Sequence, residues 1–235
     1  QDEHFLKYGY RPMIVEDCAH AFGAMYNSKL KVGCNNRNIC VFSLQAIKHL
    51  TTGDGGIITL PHKTFYERAK LLRWYGIDRD KRNYKNSDFR LENDILEAGY
   101  KYHMNDLNAT IGLVNLEGIG DIIEKNRYNA NYLNFELKNV VGLKVTTCPD
   151  NVKSAYWLFT IMVDNKEDFM EKMKACDVMV SQVHNRNDIY SCVDKYKISL
   201  PQLDIIEKKM VCIPVGWWLT ENDLKHIVSS IKSGW

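Results

Sequence analysis

The chain has 235 residues, of which 45% are hydrophobic and 26% charged, and its formal net charge is +2. Such a chain can build one large domain or two small ones, and a charge so close to neutral argues against strong electrostatic binding of nucleic acid. No apolar run approaches membrane-spanning length, and the seven cysteines include no Cys-x-x-Cys pair. The composition predicts a cytoplasmic, reduced protein with no structural metal site and no membrane partner.

The first predicted element is a buried strand at residues 13–17, which ends in the acids Glu16 and Asp17. His20 follows Asp17 by three residues. An acid at the carboxyl end of a strand lies where open α/β sheets bind ligands. Considered alone, Asp17 is more simply explained as the N-cap of a following helix.

The next elements are a hairpin or loop at residues 29–33 and two strands at 37–43 and 56–60. Between these strands lies the lysine segment, residues 43–56, with Ser43, Lys48 and three glycines in its last four positions. Burial of an unpaired ammonium favours the neutral amine, which is the form that attacks a carbonyl. A polar loop with a solvated lysine is the alternative interpretation.

Lys48 and Asp17 together match two groups that an enzyme dependent on pyridoxal 5′-phosphate (PLP) requires. A lysine forms the Schiff base, and a carboxylate keeps the pyridine nitrogen protonated so that the ring accepts electrons. The pair therefore predicts PLP as cofactor, with Lys48 and Asp17 as catalytic residues.

Three segments have the apolar spacing of helices: residues 62–75, 106–117 and 121–137. Asn105 is the predicted N-cap of the second helix. Between the first two helices, residues 78–93 have almost no apolar content and are predicted to form a loop.

Arg79 and Arg82 in this loop could reach a diphosphate, because a guanidinium binds phosphate with two hydrogen bonds. A solvated charged surface is the simpler interpretation of the same run.

A turn at residues 149–151 follows the last of these helices, and the domain boundary is predicted near it. The prediction is an α/β domain at residues 1–145 and a small α+β domain at residues 146–235. The second domain is predicted to contain strands at 155–163, 178–183 and 211–214 and helices at 166–175 and 221–231. His184 and Arg186 follow its second strand, either as a surface pair or as contacts for a substrate carboxylate.

Three ordered blocks resemble the DegT/DnrJ/EryC1/StrS family of sugar aminotransferases. They are VEDCAHAFGA at residues 15–24, FSLQAIK at 42–48 with TGDGG at 52–56, and GYKYHMNDLNA at 99–109. The resemblance implies the type I fold of PLP-dependent transferases, with residues 1–145 as the C-terminal part of the large PLP-binding α/β domain. Family members carry a long segment before this point. The sequence therefore looks like the C-terminal part of an enzyme, expected to bind PLP weakly and to be inactive without that segment.

The resemblance also assigns roles to single residues. Lys48 matches the Schiff-base lysine that moves the substrate proton, and Asp17 matches the carboxylate on the pyridine nitrogen. His20 stands at the position that contacts the cofactor's phenolic oxygen, and Ser43 matches a phosphate-binding hydroxyl. Lys101 stands where many relatives have an asparagine that reaches the phosphate in the partner subunit, and a lysine there would be a cationic substitute.

The implied activity is transfer of an amino group, usually from L-glutamate, to a nucleotide-linked keto-sugar by a homodimer with shared active sites. One alternative is a catalytically inactive fragment. A second is a non-enzymatic binding or regulatory module on the same scaffold, against which the intact Asp17 and Lys48 pair argues. Another is a sugar dehydratase, which has histidine in place of the lysine.

Overall fold

The structure, a computed structural model, describes residues 2–27, 29–35, 37–81 and 94–235. The chain forms two compact units, Gln1–Gly118 and Ile119–Trp235, each with a sheet and its own buried side chains. Within the described residues, no helix combines the length and apolar character needed to cross a membrane.

The helices are α1 (Asp2–Tyr8), α2 (Lys63–Leu72), α3 (Asp106–Glu117), α4 (Ile119–Leu137), α5 (Lys166–Ala175), α6 (Pro201–Glu207) and α7 (Glu221–Lys232). The strands are β1 (Val15–Asp17), β2 (Met25–Tyr26), β3 (Leu30–Lys31), β4 (Ile39–Ser43), β5 (Gly56–Thr59), β6 (Leu143–Val145), β7 (Val152–Lys153), β8 (Phe159–Val163) and β9 (Met210–Ile213). Short 3-10 helices lie at Arg79–Lys81, Asn187–Ile189 and Ser191–Tyr196.

The sheet of the first unit has the strand order β1-β4-β5. β1 and β4 are parallel, with Asp17 opposite Val41, and β4 and β5 are antiparallel, with Ser43 opposite Gly56. Because parallel strands end at the same edge of a sheet, Asp17 and the start of the lysine segment lie at one edge. This arrangement places the two predicted catalytic residues on neighbouring connections.

Most predicted elements of the first unit are confirmed, with shorter bounds, but the strand predicted as buried at 13–17 is wrong in its burial, because Val15 and Asp17 of β1 are exposed. The helix predicted at 62–75 ends at Leu72, because Tyr75 takes a left-handed φ of 57° that an α-helix excludes. α3 begins where predicted, and the Asn105 side chain accepts a hydrogen bond from the Asn108 N–H at 2.9 Å. The predicted loop is described only at residues 78–81, and residues 82–93 lie outside the described part of the chain.

The second unit contains the antiparallel sheet β6-β8-β9. Alternate residues of β8 are fully buried, and they pack with apolar residues from three helices. The helix residues are Ala130, Leu133 and Leu137 of α4, Phe169 and Met173 of α5, and Leu224, Ile227, Val228 and Ile231 of α7. α4 therefore packs in the core of the second unit. The domain boundary predicted after residue 145 stays a prediction.

Two predictions for the second unit need correction. Residues 178–183 form no strand but only a bridge between Ser181 and Cys212, and beyond the bridge the Gln182 side chain bonds the Lys166 ammonium and the His184 carbonyl. The strand predicted at 155–163 begins only at Phe159, since Tyr156 takes a left-handed φ of 51°. α1 and α6 were not predicted.

The core of the second unit predicts the effect of truncating α4. Leu133 is fully buried and Phe135, two residues on, is 67% exposed. Leu133→Ala should lower the free energy of unfolding by about 2–5 kcal/mol through lost burial and a cavity. Phe135→Ala, the matched control, should change it by about 0.5 kcal/mol or less. Urea unfolding followed by circular dichroism measures both, and equal effects would contradict the assignment of α4 to this core.

Candidate active site

The lysine segment closes on itself at Leu44, the first residue after β4. The Leu44 N–H donates to the Gly55 carbonyl at 2.9 Å, and the Leu44 carbonyl accepts the Thr52 N–H at 3.0 Å. The Thr51 hydroxyl donates to the same carbonyl at 3.1 Å. Leu44 and Leu50 are both buried, so these bonds form out of water and fix both ends of the loop that carries Lys48.

Two glycines permit this closure for different reasons. Gly55 takes a φ of 143°, and a Cβ there would lie 2.8 Å from Met104 Cε and 2.9 Å from Thr52 Oγ1. At Gly56 a Cβ would lie 2.8 Å from the Phe42 carbonyl oxygen of the paired strand, which cannot move without breaking the ladder. Glycine is therefore required by conformation at one position and by close approach of backbone at the other.

α3 holds the lysine segment from one side through three residues that the sequence analysis did not identify. The Asn108 amide donates to the Asp54 carbonyl at 2.8 Å, and the Asn115 amide donates to the Thr51 carbonyl at 2.9 Å. Between them, Gly112 is buried with Thr52 Cγ2 2.6 Å from the position of a Cβ. The signal in the sequence is the spacing of 108, 112 and 115, which places two amides and a glycine on one face of the helix.

Lys48 lies in this loop and is half-buried. Its backbone N–H donates a hydrogen bond to the Gln45 carbonyl at 2.9 Å. Partial burial lowers the pKa of the Lys48 ammonium, and the negative charge of Asp17, which raises it, offsets only part of that effect. The structure thus brings Lys48 and Asp17 into one electrostatic neighbourhood. The solvated-lysine interpretation does not fit a half-buried amine with a lowered pKa.

Asp17 is exposed at the end of β1, and its Oδ1 accepts the Ala19 N–H at 3.1 Å. The residues that follow form turns rather than a helix, so the helix-cap interpretation of Asp17 is wrong. His20 is exposed in the same turn region. Ser43, at the end of the neighbouring strand, is half-buried, and its hydroxyl oxygen accepts the Gln45 N–H at 3.3 Å. These side chains follow the carboxyl ends of two parallel strands.

Lys101 lies on another segment of the unit, where its backbone bridges to Trp74, and its side chain is exposed. His103 stacks on the Trp74 indole at 3.7 Å between ring centroids, and the Arg79 guanidinium lies 4.2 Å from the centroid of the same indole. Arg79 is therefore held against an aromatic ring, while Arg82 lies outside the described residues. The role of Lys101 at a partner subunit stays a prediction.

In the second unit, Arg186 is engaged by two carboxylates. Its guanidinium donates to Asp188 at 2.8 and 2.6 Å and also to Asp204. These hydrogen bonds raise the pKa of Arg186 further above its usual value. A guanidinium occupied in this way holds its own loop together, which argues against contact with a substrate carboxylate, and its partners are the two aspartates rather than His184.

The residues at the sheet edge fit PLP as a cofactor. The amine that would hold its aldehyde is half-buried with a lowered pKa, and the carboxylate that would face its ring nitrogen acts on that amine. The Ser43 hydroxyl, which could bond a phosphate, lies at the start of the same loop. PLP binding itself stays a proposal.

The DegT/DnrJ/EryC1/StrS aminotransferase family model matches residues 7–232, and the chain belongs to this family. The crystal structure of AtS13 from Actinomadura melliaura is 44% identical, with a TM-score of 0.92 over 100% of this chain and 61% of that one. The sugar aminotransferase CalS13 from Micromonospora echinospora is 39% identical, with a TM-score of 0.90 over 100% of this chain and 62% of that one. The predicted type I fold of PLP-dependent transferases is confirmed.

A relative with a named reaction is the UDP-4-amino-4-deoxy-L-arabinose–oxoglutarate aminotransferase of Shewanella sediminis. It is 30% identical over an alignment 238 residues long that covers 95% of this chain and 61% of the relative. The chain therefore spans about three fifths of the length of the proteins that it matches.

The contact between α3 and the lysine segment predicts the effect of a single methyl group. Gly112→Ala raises helix propensity by about 1 kcal/mol but pushes a Cβ against Thr52, so the loop must shift. Amide hydrogen exchange of residues 51–56 should become faster. Gly118→Ala, where nothing lies within 4 Å of the added Cβ, should leave this exchange unchanged. Unchanged exchange in Gly112→Ala would show that α3 does not restrain the loop.

Proposed function

We propose that this protein is a PLP-dependent aminotransferase that transfers an amino group from L-glutamate to a nucleotide-linked keto-deoxysugar. The observation that carries the proposal is the half-buried Lys48 amine beside the Asp17 carboxylate at the carboxyl edge of the sheet. When bound, PLP would supply an aldehyde that takes up the amino group and a ring that accepts electrons. The cofactor-binding set proposed is Asp17, His20, Ser43, Lys48 and Lys101.

The environment of Lys48 suits both tasks that an aminotransferase lysine performs. A lowered pKa increases the fraction of neutral amine near neutral pH, and only the neutral amine attacks a carbonyl or accepts a proton at Nζ. The charge of Asp17 limits this effect, so the amine can also carry a proton and return it. The loop bonds at Leu44 hold Nζ in place between these events.

Asp17 would contribute a negative charge next to the ring nitrogen of the cofactor. Its Oδ1 is fixed by the Ala19 N–H, which orients the carboxylate without neutralising it. A fixed carboxylate favours the protonated nitrogen, and the protonated ring is the better electron acceptor. This division of work assigns proton transfer to Lys48 and electrostatic stabilisation to Asp17.

Names of the similar proteins support the substrate class. CalS13 is named as a sugar aminotransferase, and the Shewanella sediminis relative is named for a UDP-linked amino sugar and oxoglutarate. Oxoglutarate is the keto acid that remains when glutamate gives up its amino group, which supports L-glutamate as donor.

A homodimer and a cytoplasmic location are further parts of the proposal. α3 exposes five large apolar side chains, Leu107, Ile111, Leu113, Val114 and Leu116, as an interface between subunits would require. All seven cysteines are free, as in a reducing compartment.

The proposal predicts covalent attachment of the cofactor to Lys48. The chain joined to the upstream segment that family members carry, incubated with PLP and reduced with borohydride, should carry one phosphopyridoxyl group, and peptide mass spectrometry should place it on Lys48. Lys48→Ala should lose the adduct and all transfer of an amino group. Lys63→Ala, which removes an exposed lysine of α2, is the matched control and should keep both. An adduct on another lysine would overturn the assignment, and an adduct without transfer would favour the binding-module alternative.

Asp17→Asn should lower kcat and kcat/KM together while PLP still binds. The neutral amide no longer favours a protonated ring, so an interaction that matters most in the transition state is lost, and each tenfold drop corresponds to about 1.4 kcal/mol. Asp121→Asn, at an exposed acid of α4, is the control and should leave both constants unchanged. Steady-state kinetics with a nucleotide-linked keto-sugar measures the effect, and near-normal turnover in Asp17→Asn would contradict the role given to this carboxylate.

A further inference from the structure

Glu16, the neighbour of Asp17 in β1, has a carboxylate in which both oxygens accept hydrogen bonds. Oε1 accepts from Asn38 Nδ2 at 2.6 Å, from Asn35 Nδ2 at 3.4 Å and from Cys40 Sγ at 3.7 Å. Oε2 accepts from the Tyr26 hydroxyl. A half-buried carboxylate with this many donors is unusual for a strand of only three residues, and neither catalytic role described above uses it.

These donors come from three different parts of the first unit. Tyr26 belongs to β2, Asn38 immediately precedes β4, and Cys40 lies within β4 directly opposite Glu16. Asn35 is itself fixed, because its Oδ1 accepts the N–H groups of Arg37 at 3.0 Å and Asn38 at 2.9 Å. Glu16 therefore ties the end of β1 to the hairpin before β4 and to the entry into β4.

The strand geometry links this network to Asp17. Successive side chains of a strand point to opposite faces, so Glu16 directs its carboxylate to the network while Asp17 directs its own away from it. In the parallel pair, Glu16 is opposite Cys40 and Asp17 is opposite Val41. A displacement of Glu16 would therefore move the backbone that carries Asp17.

Glu16, Cys18 and Cys40 also place three donor atoms within 4.8 Å of one another, a spacing that a metal ion could use. The hydrogen bonds decide against this interpretation, because both Glu16 oxygens already accept from protein donors. The two thiols are buried, and burial is the main reason that the pKa of Cys18 rises to about 12. The Cys18 thiol is therefore protonated and acts as a small apolar group.

We propose that Glu16 is a positioning residue that acts through the backbone of β1 to hold the Asp17 carboxylate near Lys48. The inference rests on the proposed function, because that function gives the Asp17 and Lys48 pair its catalytic role. Burial would raise the pKa of Glu16, but the hydrogen bonds from Tyr26 and the two asparagines outweigh it and keep the pKa below its usual value. Burial and the hydrogen bond to Glu16 raise the pKa of Tyr26. Glu16 is thus the charged member of this network, and Tyr26 and Cys18 are its neutral titratable partners near pH 7.

Glu16→Gln tests the proposal, because it preserves size but turns one acceptor into an NH₂ group that faces a donor. The readout is the titration of Lys48, obtained from the rate at which trinitrobenzenesulfonate labels it at different pH, with mass spectrometry of its peptide. Asp17→Asn should move the Lys48 midpoint to lower pH, because the charge that raises its pKa is removed. Glu16→Gln should move it in the same direction by less, and Glu117→Gln, at an exposed acid of the same unit, should not move it.

The double variant Glu16→Gln/Asp17→Asn separates positioning from a direct charge effect. If Glu16 acts through Asp17, the double variant should titrate like Asp17→Asn alone, because the carboxylate to be positioned is gone. Additive shifts would overturn the proposal, since they would mean that Glu16 acts on Lys48 by itself. An unchanged Lys48 midpoint in Glu16→Gln, with only a lower unfolding temperature, would overturn it as well.

Tyr26→Phe keeps the test decisive if Glu16→Gln does not fold. This variant removes one donor but leaves the Glu16 charge. A shift of the Lys48 midpoint to lower pH would therefore report displacement of Asp17 alone. An unshifted midpoint would overturn the proposal. The labelling needs no cofactor. A protein that fails to take up PLP but shows the predicted titrations therefore refutes the proposed function and not the positioning by Glu16.

Discussion

A half-buried ammonium in a loop between two strands is the constraint on which the rest of the first unit depends. Lys48 loses part of its hydration, and this loss favours the neutral amine, as the lowered pKa of the side chain reflects. A flexible loop would relieve the cost by turning Nζ outward. The bonds of Thr51, Thr52 and Gly55 with Leu44 oppose that movement, because they close the loop at a buried position.

The loop is rigid because supports reach it from a distant part of the chain. Asn108 and Asn115 of α3 bond carbonyls that precede them by 54 and 64 residues, and Gly112 lets the helix approach Thr52. The carboxylate that offsets part of the lysine's desolvation comes from β1 on another side. Two independent supports thus act on one amine, one through geometry and one through charge.

Local patterns were enough to predict much of the fold. β8 shows the alternating burial of a half-exposed strand, and α7 buries residues at helical spacing behind its N-cap Thr220, which forms a capping box with Asp223. Predictions failed at two strands of the second unit. The left-handed backbone at Tyr156 delays β8. The pairing predicted at 178–183 is reduced to one bridge between Ser181 and Cys212. Neither feature has a signal in hydrophobic periodicity.

The candidate site was predictable only as far as its chemistry-bearing residues. Lys48 and Asp17 are separated by 31 positions, yet the residue types and the ends of the strands identified them from sequence. The α3 asparagines that bond the lysine segment could not be predicted, because the sequence does not indicate which carbonyl an asparagine of a helix will contact.

The distribution of polar and apolar residues on α3 departs from the pattern of an ordinary surface helix. It turns Asn108, Gly112 and Asn115 toward the lysine segment and exposes Leu113 and Val114, the reverse of a helix that covers a core. Such a reversal of the local rule occurs where function or assembly requires it. In α3 the polar face is fixed by the loop that carries Lys48, so the apolar residues have no face left except the outer one.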